Sequence, residues 1–562
     1  MSSIPLDIAT VYPATMPLSI VPTDTTDTPH STTNEAAPIN RLPPELLLEI
    51  FQHASGKSQS THQTEAWVTF SHTCQYWRSI AIGFPRAWSN ISFNHGPDFA
   101  DMLLSRSIDS ALPLTVHLTP TPASQADDMT WGKATEEVLM RAISESARLQ
   151  SVRIHTPLKK HALRRVLRSW KKADQPLLVL AHLDIRGREG KLTDARELLD
   201  HKVMNRGVPA LRSIDLRDAY IGTKLRFQAE LGAHIHCLSL WRVYVSDSPD
   251  MATAARLISV TELLTCLKGL PHLDDLSVSR LLDIHPDASI LPLTLKNLKK
   301  LEITEPTTLT ASMLLNLLRI PNVHTVHIAL LKPLRGPRYL ASLLRSLNTA
   351  WGPTLDDGFS DSIQYTSTPS EPTLNASTLD VFEFQSKPNS CPVHKHPAQI
   401  LTVTVPENPN LSFISLLHTF REGLNLYPAQ TISLCPPPGY PGLLGSPDPN
   451  RHWYYALWHF PALECLILQG EAVSPNILTI ATALHLFLSL ERVVIRRTAF
   501  PLGLRGSSVA PFLADFIKQL WNRTPKLRSL EFVECPGVTE ADCLWLSAQV
   551  RQSVEIIWDR HA

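Results

Sequence analysis

Leu273-Asp274-Asp275-Leu276-Ser277-Val278, Leu298-Lys299-Lys300-Leu301-Glu302-Ile303 and Val323-His324-Thr325-Val326-His327-Ile328 are one pattern written three times, apolar-x-x-apolar-x-apolar. Residues two apart point to the same face of an extended strand. The last two apolar positions of each copy therefore share a buried face, and the polar residue between them faces the other way. The first apolar position anchors the turn that enters the strand. Working outward, the same pattern occurs before these copies as Leu149-x-x-Val152-x-Ile154, Leu180-x-x-Leu183-x-Ile185, Leu211-x-x-Ile214-x-Leu216 and Ile235-x-x-Leu238-x-Leu240. It returns after them as Leu463-x-x-Leu466-x-Leu468, Leu490-x-x-Val493-x-Ile495 and Leu527-x-x-Leu530-x-Phe532.

The final apolar positions of the first seven copies are 154, 185, 216, 240, 278, 303 and 328, giving steps of 31, 31, 24, 38, 25 and 25. A period in the twenties to thirties built on L-x-x-L-x-L marks a leucine-rich-repeat solenoid. Segments between copies, such as Leu263-Leu264-x-x-Leu267-x-x-Leu270, carry helical spacing. The expectation is an α/β fold with parallel strands on the concave side and helices outside, irregular because the steps are uneven. No single unit buries its own apolar face, so stacking supplies the core. The last copy runs on through Cys535-Pro536-Gly537-Val538-Thr539. It resembles the cysteine-containing leucine-rich repeat, a resemblance that implies Cys535 satisfies backbone groups in the turn after the strand. Two polar stretches, at about 351–378 and 436–451, read as exposed insertions. Between them residues 379–384, 400–405 and 432–434 read as strands that continue the stack.

A different pattern stands in front. Residues 39–51 read Ile39-Asn40-Arg41-Leu42-Pro43-Pro44-Glu45-Leu46-Leu47-Leu48-Glu49-Ile50-Phe51, and the pattern resumes at Val68 and runs through Cys74-Gln75-Tyr76-Trp77-Arg78 to Ala81. The two prolines fit a first helical turn, which spares its N–H groups, and Glu45 sits well against the positive end of the helix dipole. Leu46, Leu47, Ile50 and Phe51 form an apolar stripe. Cys74, Trp77, Ile80 and Ala81 repeat at helical spacing until Gly83 and Pro85 stop the helix. The interval 53–65 is polar. This stretch resembles an F-box of the fungal type, the module that docks on the Skp-type adaptor of SCF ubiquitin ligases. The resemblance implies that Leu42, Pro43, Leu46, Leu47, Ile50, Phe51, Cys74 and Trp77 make up the adaptor-facing and packing surface, with Trp77 as anchor, while Leu48, Glu49 and Arg78 are exposed.

Composition narrows the rest. Lys+Arg and Asp+Glu both total 52, which argues against a nucleic-acid or membrane-surface protein driven by bulk charge. Eight cysteines are dispersed without a Cys-x-x-Cys pair, as buried reduced thiols of a cytoplasmic or nuclear chain are. The first Lys or Arg is Arg41, so the reading includes no signal or transit peptide. The uncharged run 477–490 falls short of the ~20 residues a membrane-spanning helix needs. Residues 1–38, rich in Thr, Pro, Ser and Ala, read as a disordered tail. The domain expectation is therefore a tail at 1–38, an F-box with its extension at 39–93, and a solenoid at 94–562.

Catalytic and metal patterns are weak. Gly56-Lys57-Ser58 echoes a phosphate-binding loop, but Phe51 stands where its first glycine belongs. Cys391-x-x-His394-x-His396 lacks a matching pair of zinc ligands nearby. The basic run around Lys159, Lys160, Arg164, Arg165 and Arg168 reads as a solvated helix face. No catalytic residue, cofactor or metal is expected. The resemblance implies a non-catalytic adaptor subunit that docks on a Skp-type protein, and through it a cullin ligase, and presents a solenoid-bound protein substrate for ubiquitination. The alternative is an F-box and leucine-rich-repeat scaffold or binding protein acting outside ubiquitin transfer. Arg217, Trp241, Arg242, Glu305 and Arg496, all just after strand motifs, read as ordinary solvated residues, with substrate contact on the concave surface as the alternative.

Overall fold

The computed structural model describes residues 37–55, 61–93, 95–108, 112–118, 133–145, 147–155, 179–187, 193–194, 208–221, 234–245, 256–281, 291–305, 307–351, 362–369, 378–385, 400–406, 419–420, 431–435, 463–469, 489–500, 504–507, 510–523, 526–550 and 554–559. The expected tail through residue 36, the insertion at 436–451, the basic run at 159–168, the 56–58 loop and the 391–396 cluster lie outside the described residues. The chain divides into two compact units, one ending at Trp88 and the other beginning at Ser89.

Among the described residues the first unit holds three α-helices, α1 (Pro44–Ala54), α2 (Thr61–Thr73) and α3 (Gln75–Ile82). Pro43 caps α1 and Pro44 occupies its first position, where the missing N–H costs nothing. The helix α2 begins inside the polar interval 53–65. Its apolar side is carried by Trp67 and Phe70, and Trp67 is 1% exposed. Cys74 separates α2 from α3 in extended conformation, and its sulfur accepts the Trp77 N–H at 3.5 Å as an N-cap. The helical spacing read at Cys74, Trp77, Ile80 and Ala81 is α3 with its cap, and it ends at Gly83. Trp88 closes the unit, fully buried with its indole N–H on the Ala81 carbonyl at 2.8 Å.

The second unit is built on one sheet of 17 strands among the described residues. In chain order these are β1 (Asn90–Ser92), β2 (Leu114–Leu118), β3 (Leu149–Ile154), β4 (His182–Arg186), β5 (Ser213–Arg217), β6 (Cys237–Trp241), β7 (Asp275–Ser279), β8 (Lys300–Glu305), β9 (Thr325–Leu330), β10 (Ser362–Pro369), β11 (Thr378–Gln385), β12 (Ile400–Pro406), β13 (Thr431–Cys435), β14 (Cys465–Gln469), β15 (Arg492–Arg496), β16 (Ser529–Val533) and β17 (Glu555–Trp558). Strands β1 to β9 pair in sequence order, all parallel, and so do β13 to β17. All ten copies of the sequence pattern are strands. Their register superposes equivalent positions, with Leu276 beside Leu301 and Leu301 beside Val326.

None of the thirty pattern side chains is more than 3% exposed. Three buried aliphatic side chains return roughly 5–9 kcal/mol per unit. Ordering a unit of 25 residues costs several times that at about 1.5 kcal/mol per residue. A repeat alone cannot fold, and the stack is the folding unit. Helices α4 (Pro97–Ser107), α5 (Lys133–Ser144), α6 (Val260–Leu267), α7 (Thr308–Asn316), α8 (Pro337–Trp351), α9 (Ala510–Arg523) and α10 (Glu540–Val550) lie between strands. The cap of α6 is a full capping box, in which Ser259 and Glu262 each take a backbone N–H of the other. The architecture is mixed α/β: a helical N-terminal unit, then a parallel, leucine-rich-repeat-like body.

One region departs from the expected stack. Residues 362–369, read as part of an exposed insertion, form β10. The spatial order there is β9, β12, β11, β10, β13, with β11 antiparallel to both its neighbours. The link from β10 to β11 is too short for a parallel crossover, which needs a dozen or more residues, so the chain turns back on itself.

A second regularity is the corner after the strand. Asp218, Arg242, Arg280, Arg497 and Glu534 each follow a strand directly and have φ between 49° and 56°. A left-handed non-glycine residue costs roughly 1–2 kcal/mol. The conformation is held because it aims the next N–H along the ladder: Asp218 donates to Trp241 O at 2.9 Å, Arg242 to Ser279 O at 3.1 Å and Arg497 to Val533 O at 3.0 Å. Corner side chains also pair, Arg242 with Asp218 and Arg497 with Glu534, each at 2.6 Å.

The last repeat adds a tighter turn. Cys535, 2% exposed, places its thiol 3.2 Å from the Ile495 carbonyl, so it does satisfy backbone in the turn. Gly537 has φ +90°, and a Cβ there would lie 2.0 Å from the Phe500 carbonyl oxygen. Gly537→Ala is expected to lower stability by about 2–4 kcal/mol, because strain and a backbone clash add. Hydrogen exchange should show this as lost protection at Phe500, whose N–H bonds Pro536 O at 2.8 Å.

Candidate functional site

The eight residues assigned to partner contact separate into two sets. Leu47 is 0% exposed and Phe51 1%, while Leu46 is 46% and Ile50 40% exposed. Neighbouring residues in a helix are about 100° apart, so Leu46 and Ile50 share one line and Leu47 and Phe51 the next. The second line faces an aromatic core. Phe51 stacks on Phe70 at 4.4 Å, meets Trp77 at 4.9 Å and takes the edge of Trp67 at 5.7 Å, centroid to centroid.

Trp77 is half-buried against that core, and its indole N–H donates to Asn40 Oδ1 at 2.6 Å. The Tyr76 hydroxyl donates to the Leu42 carbonyl at 3.1 Å. These two bonds tie the segment before α1 onto α3. They leave Ile39 (39% exposed), Pro43, Leu46 and Ile50 as an apolar strip open to solvent, with Leu42 and Cys74 half-buried. Glu49 and Arg78 are exposed and Leu48 is half-buried. Asn40 is the contributor that pattern reading missed. Its only sequence signal is its place just ahead of the Leu-Pro-Pro opening.

On the sheet, polar residues between the apolar positions form rows across strands. Asp184 sits amid a chain of ion pairs. His155 reaches it at 2.7 Å, Arg186 bridges it (2.9 Å) to Asp215 (3.0 Å), and Arg217 holds Asp215 at 3.2 Å. Burial works to raise the Asp184 carboxyl, but its hydrogen bonds to His155 and Arg186 outweigh that and hold it below the usual carboxylate range. Arg217 in turn lies over the Trp241 ring at 5.9 Å. His117, beneath this cluster on β2, is held down at about 4 by burial, then by Arg153 and His155, and stays neutral near pH 7.

Beyond Trp241 the row drops to Ser239 and Ser277. Here a recess of about 320 Å³ opens, walled by Arg217 and Trp241 on one side and by Asp275, Lys300 and Glu302 on the other. Cys237 in its wall has its thiol pushed up to about 11 by burial and then Asp275, so it is a weak hydrogen-bond donor and not a nucleophile. Arg217 and Trp241 thus line an open face. Arg242 is spent on the Asp218 corner pair, and Arg496 lies 3.5 Å from Glu534. Glu305 does not belong with them. It is 0% exposed and its carboxylate accepts the Leu281 N–H at 2.9 Å, a structural role inside the stack. Among the described residues no three His, Cys, Asp or Glu gather as metal ligands would, and no helix is long and apolar enough to cross a membrane.

Comparison with known families decides what the first unit is: residues 39–94 match the family model described as F-box-like. This segment is an F-box-like domain. No curated protein matches the chain. Similar solved structures include the leucine-rich repeat-containing protein LegL7 from Legionella pneumophila, 11% identical with a TM-score of 0.26, the match covering 74% of this chain and 100% of that one. Another is the Rad7 and Elc1 complex in yeast, 10% identical with a TM-score of 0.22, covering 95% and 98%. Both scores are low, and the repeat architecture of the body rests on the strand register described above. The F-box-like domain carries the closed aromatic core and the open Leu46–Ile50 line side by side on α1.

Proposed function

We propose that this chain is a non-catalytic substrate-recognition subunit. Its F-box-like domain docks on a Skp-type adaptor, the adaptor joins it to a cullin ligase, and the repeat body holds the protein to be ubiquitinated. The observation that carries this reading is the line of Pro43, Leu46 and Ile50, open to solvent on a helix whose other side is closed by Phe51, Trp67, Phe70 and Trp77. A domain this small that leaves aliphatic side chains exposed together has a use for them at an interface. The work of the chain is positioning: bringing a bound protein near the ligase's ubiquitin-loaded subunit. No covalent step is assigned to it.

Proximity labelling in cells tests the whole role. Proteins labelled by the wild-type chain should gain ubiquitin, and that gain should vanish with Leu46→Asp/Ile50→Asp while labelling of the same proteins persists. Ubiquitin levels that do not differ between the two would favour a scaffold acting outside ubiquitin transfer.

A further inference from the structure

From residue 306 to 355 the chain has no Asp or Glu, yet it carries Arg319, Lys332, Arg335, Arg338 and Arg345. With 52 acids in 562 residues, a stretch of that length would on average hold four or five. The structure places three of the cations together. Lys332 and Arg335 lie in the turn after β9 and Arg338 in the first turn of α8, all exposed. Among the described residues none of the three has an ion-pair partner. Among the described residues the Arg319 side chain reaches only the carbonyls of Asn316 and Leu318, at 3.2 and 2.8 Å, and that of Arg345 only the carbonyl of Ala341, at 3.3 Å. Several cations elsewhere in this sheet are matched, Arg217 by Asp215, Arg242 by Asp218 and Lys299 by Asp274.

The same surface exposes apolar groups. Leu331 is 38% exposed, Tyr339 47%, and Leu309, at the start of the neighbouring α7, 58%. No acid occupies the first turn of α8, whose positive dipole end faces a run of like charge. In the free chain these like charges repel, and a bound polyanion relieves that repulsion.

We infer that this surface docks an acidic peptide segment of a protein partner, one whose carboxylates are interleaved with apolar side chains. Guanidinium forks at 335 and 338 suit carboxylates two-pronged, and Leu309, Leu331 and Tyr339 take the apolar residues. Nucleic acid fits less well, since it is tracked by long rows of cations along the phosphates, and this chain has zero formal net charge. A lipid surface asks for more cations and a wider apolar face. The inference rests on the proposed function only in taking the partner to be the recruited protein.

Fluorescence anisotropy of the full chain with a labelled peptide alternating Glu with Leu and Phe tests it. Binding should weaken with added salt and be absent for the peptide with Gln in place of Glu. Lys332→Glu/Arg335→Glu/Arg338→Glu should weaken it about tenfold or more. Lys133→Glu, a reversal at a side chain 90% exposed elsewhere, should leave it unchanged. Adaptor binding should be the same for the triple variant and the wild type, which separates this site from the F-box-like domain, and an unchanged far-UV signal and thermal midpoint show that the repeat body of the variant is folded. No binding of the acidic peptide, equal binding by the triple variant, or tighter binding of single-stranded RNA or phosphatidylserine vesicles through the same three residues would overturn the inference.

Discussion

Truncating Phe51 to alanine is expected to destabilise the helical unit by about 3–5 kcal/mol, enough to unfold it. The ring is 1% exposed and touches three others, Trp67, Phe70 and Trp77. Each aromatic pair contributes about 0.5–1.5 kcal/mol beyond the area it buries. Trp77 cannot swing into the space, because its bond to Asn40 holds it. Far-UV and tryptophan signals should both report loss of the unit, and adaptor binding should fail with it. A thermal midpoint within a degree of wild type would show that the cluster is not the unit's core. The variant loses the unit and the proposed docking line together, so it speaks to folding and not to the interface.

The body of the fold was legible because three apolar positions per repeat are fixed by one requirement, burial on one face of a strand, and Leu, Val and Ile meet it visibly. Features that rest on other physics were not. The left-handed corners fall on Asp218, Arg242, Arg280, Arg497 and Glu534, where glycine would have announced them. Hydrogen bonds along the ladder and ion pairs between corners hold the conformation, and neither leaves a compositional mark. Strand β10 reads as a polar loop because Ser, Gln and Thr fill its alternate positions. The backbone register places Ile363 and Tyr365 opposite Phe384 and Phe382 on one side and opposite Ile432 and Leu434 on the other. Pairing partners far away in the chain decided that element.

The proposed docking site was half legible. The Leu-Pro-Pro opening and the Cys74–Trp77 close identified the segment, and an apolar stripe on α1 was plain. Which members of the stripe face out was not, because Leu46 with Ile50 and Leu47 with Phe51 obey the same spacing. Only the position of α2 settles it, and α2 begins in sequence that is polar for two turns. Trp67, the residue that draws the core to one side, lies at the end of that polar run. In the sheet, Glu305 shows the same limit: a carboxylate at a strand end reads as surface until the next repeat covers it.

The interface itself is tested by Leu46→Asp/Ile50→Asp. Both side chains are at least 40% exposed in the free chain, so the substitution leaves the core intact. At an interface it removes two aliphatic anchors and leaves two carboxylates to be desolvated unpaired, a loss of about 3 kcal/mol or more. Isothermal titration of the full chain with a purified Skp-type adaptor is the direct measurement. The account predicts that the wild-type chain binds and that the double variant, with an unchanged thermal midpoint, binds about 100-fold more weakly or not at all. A wild-type chain that does not bind the adaptor, or a double variant that binds as the wild type does, would contradict it.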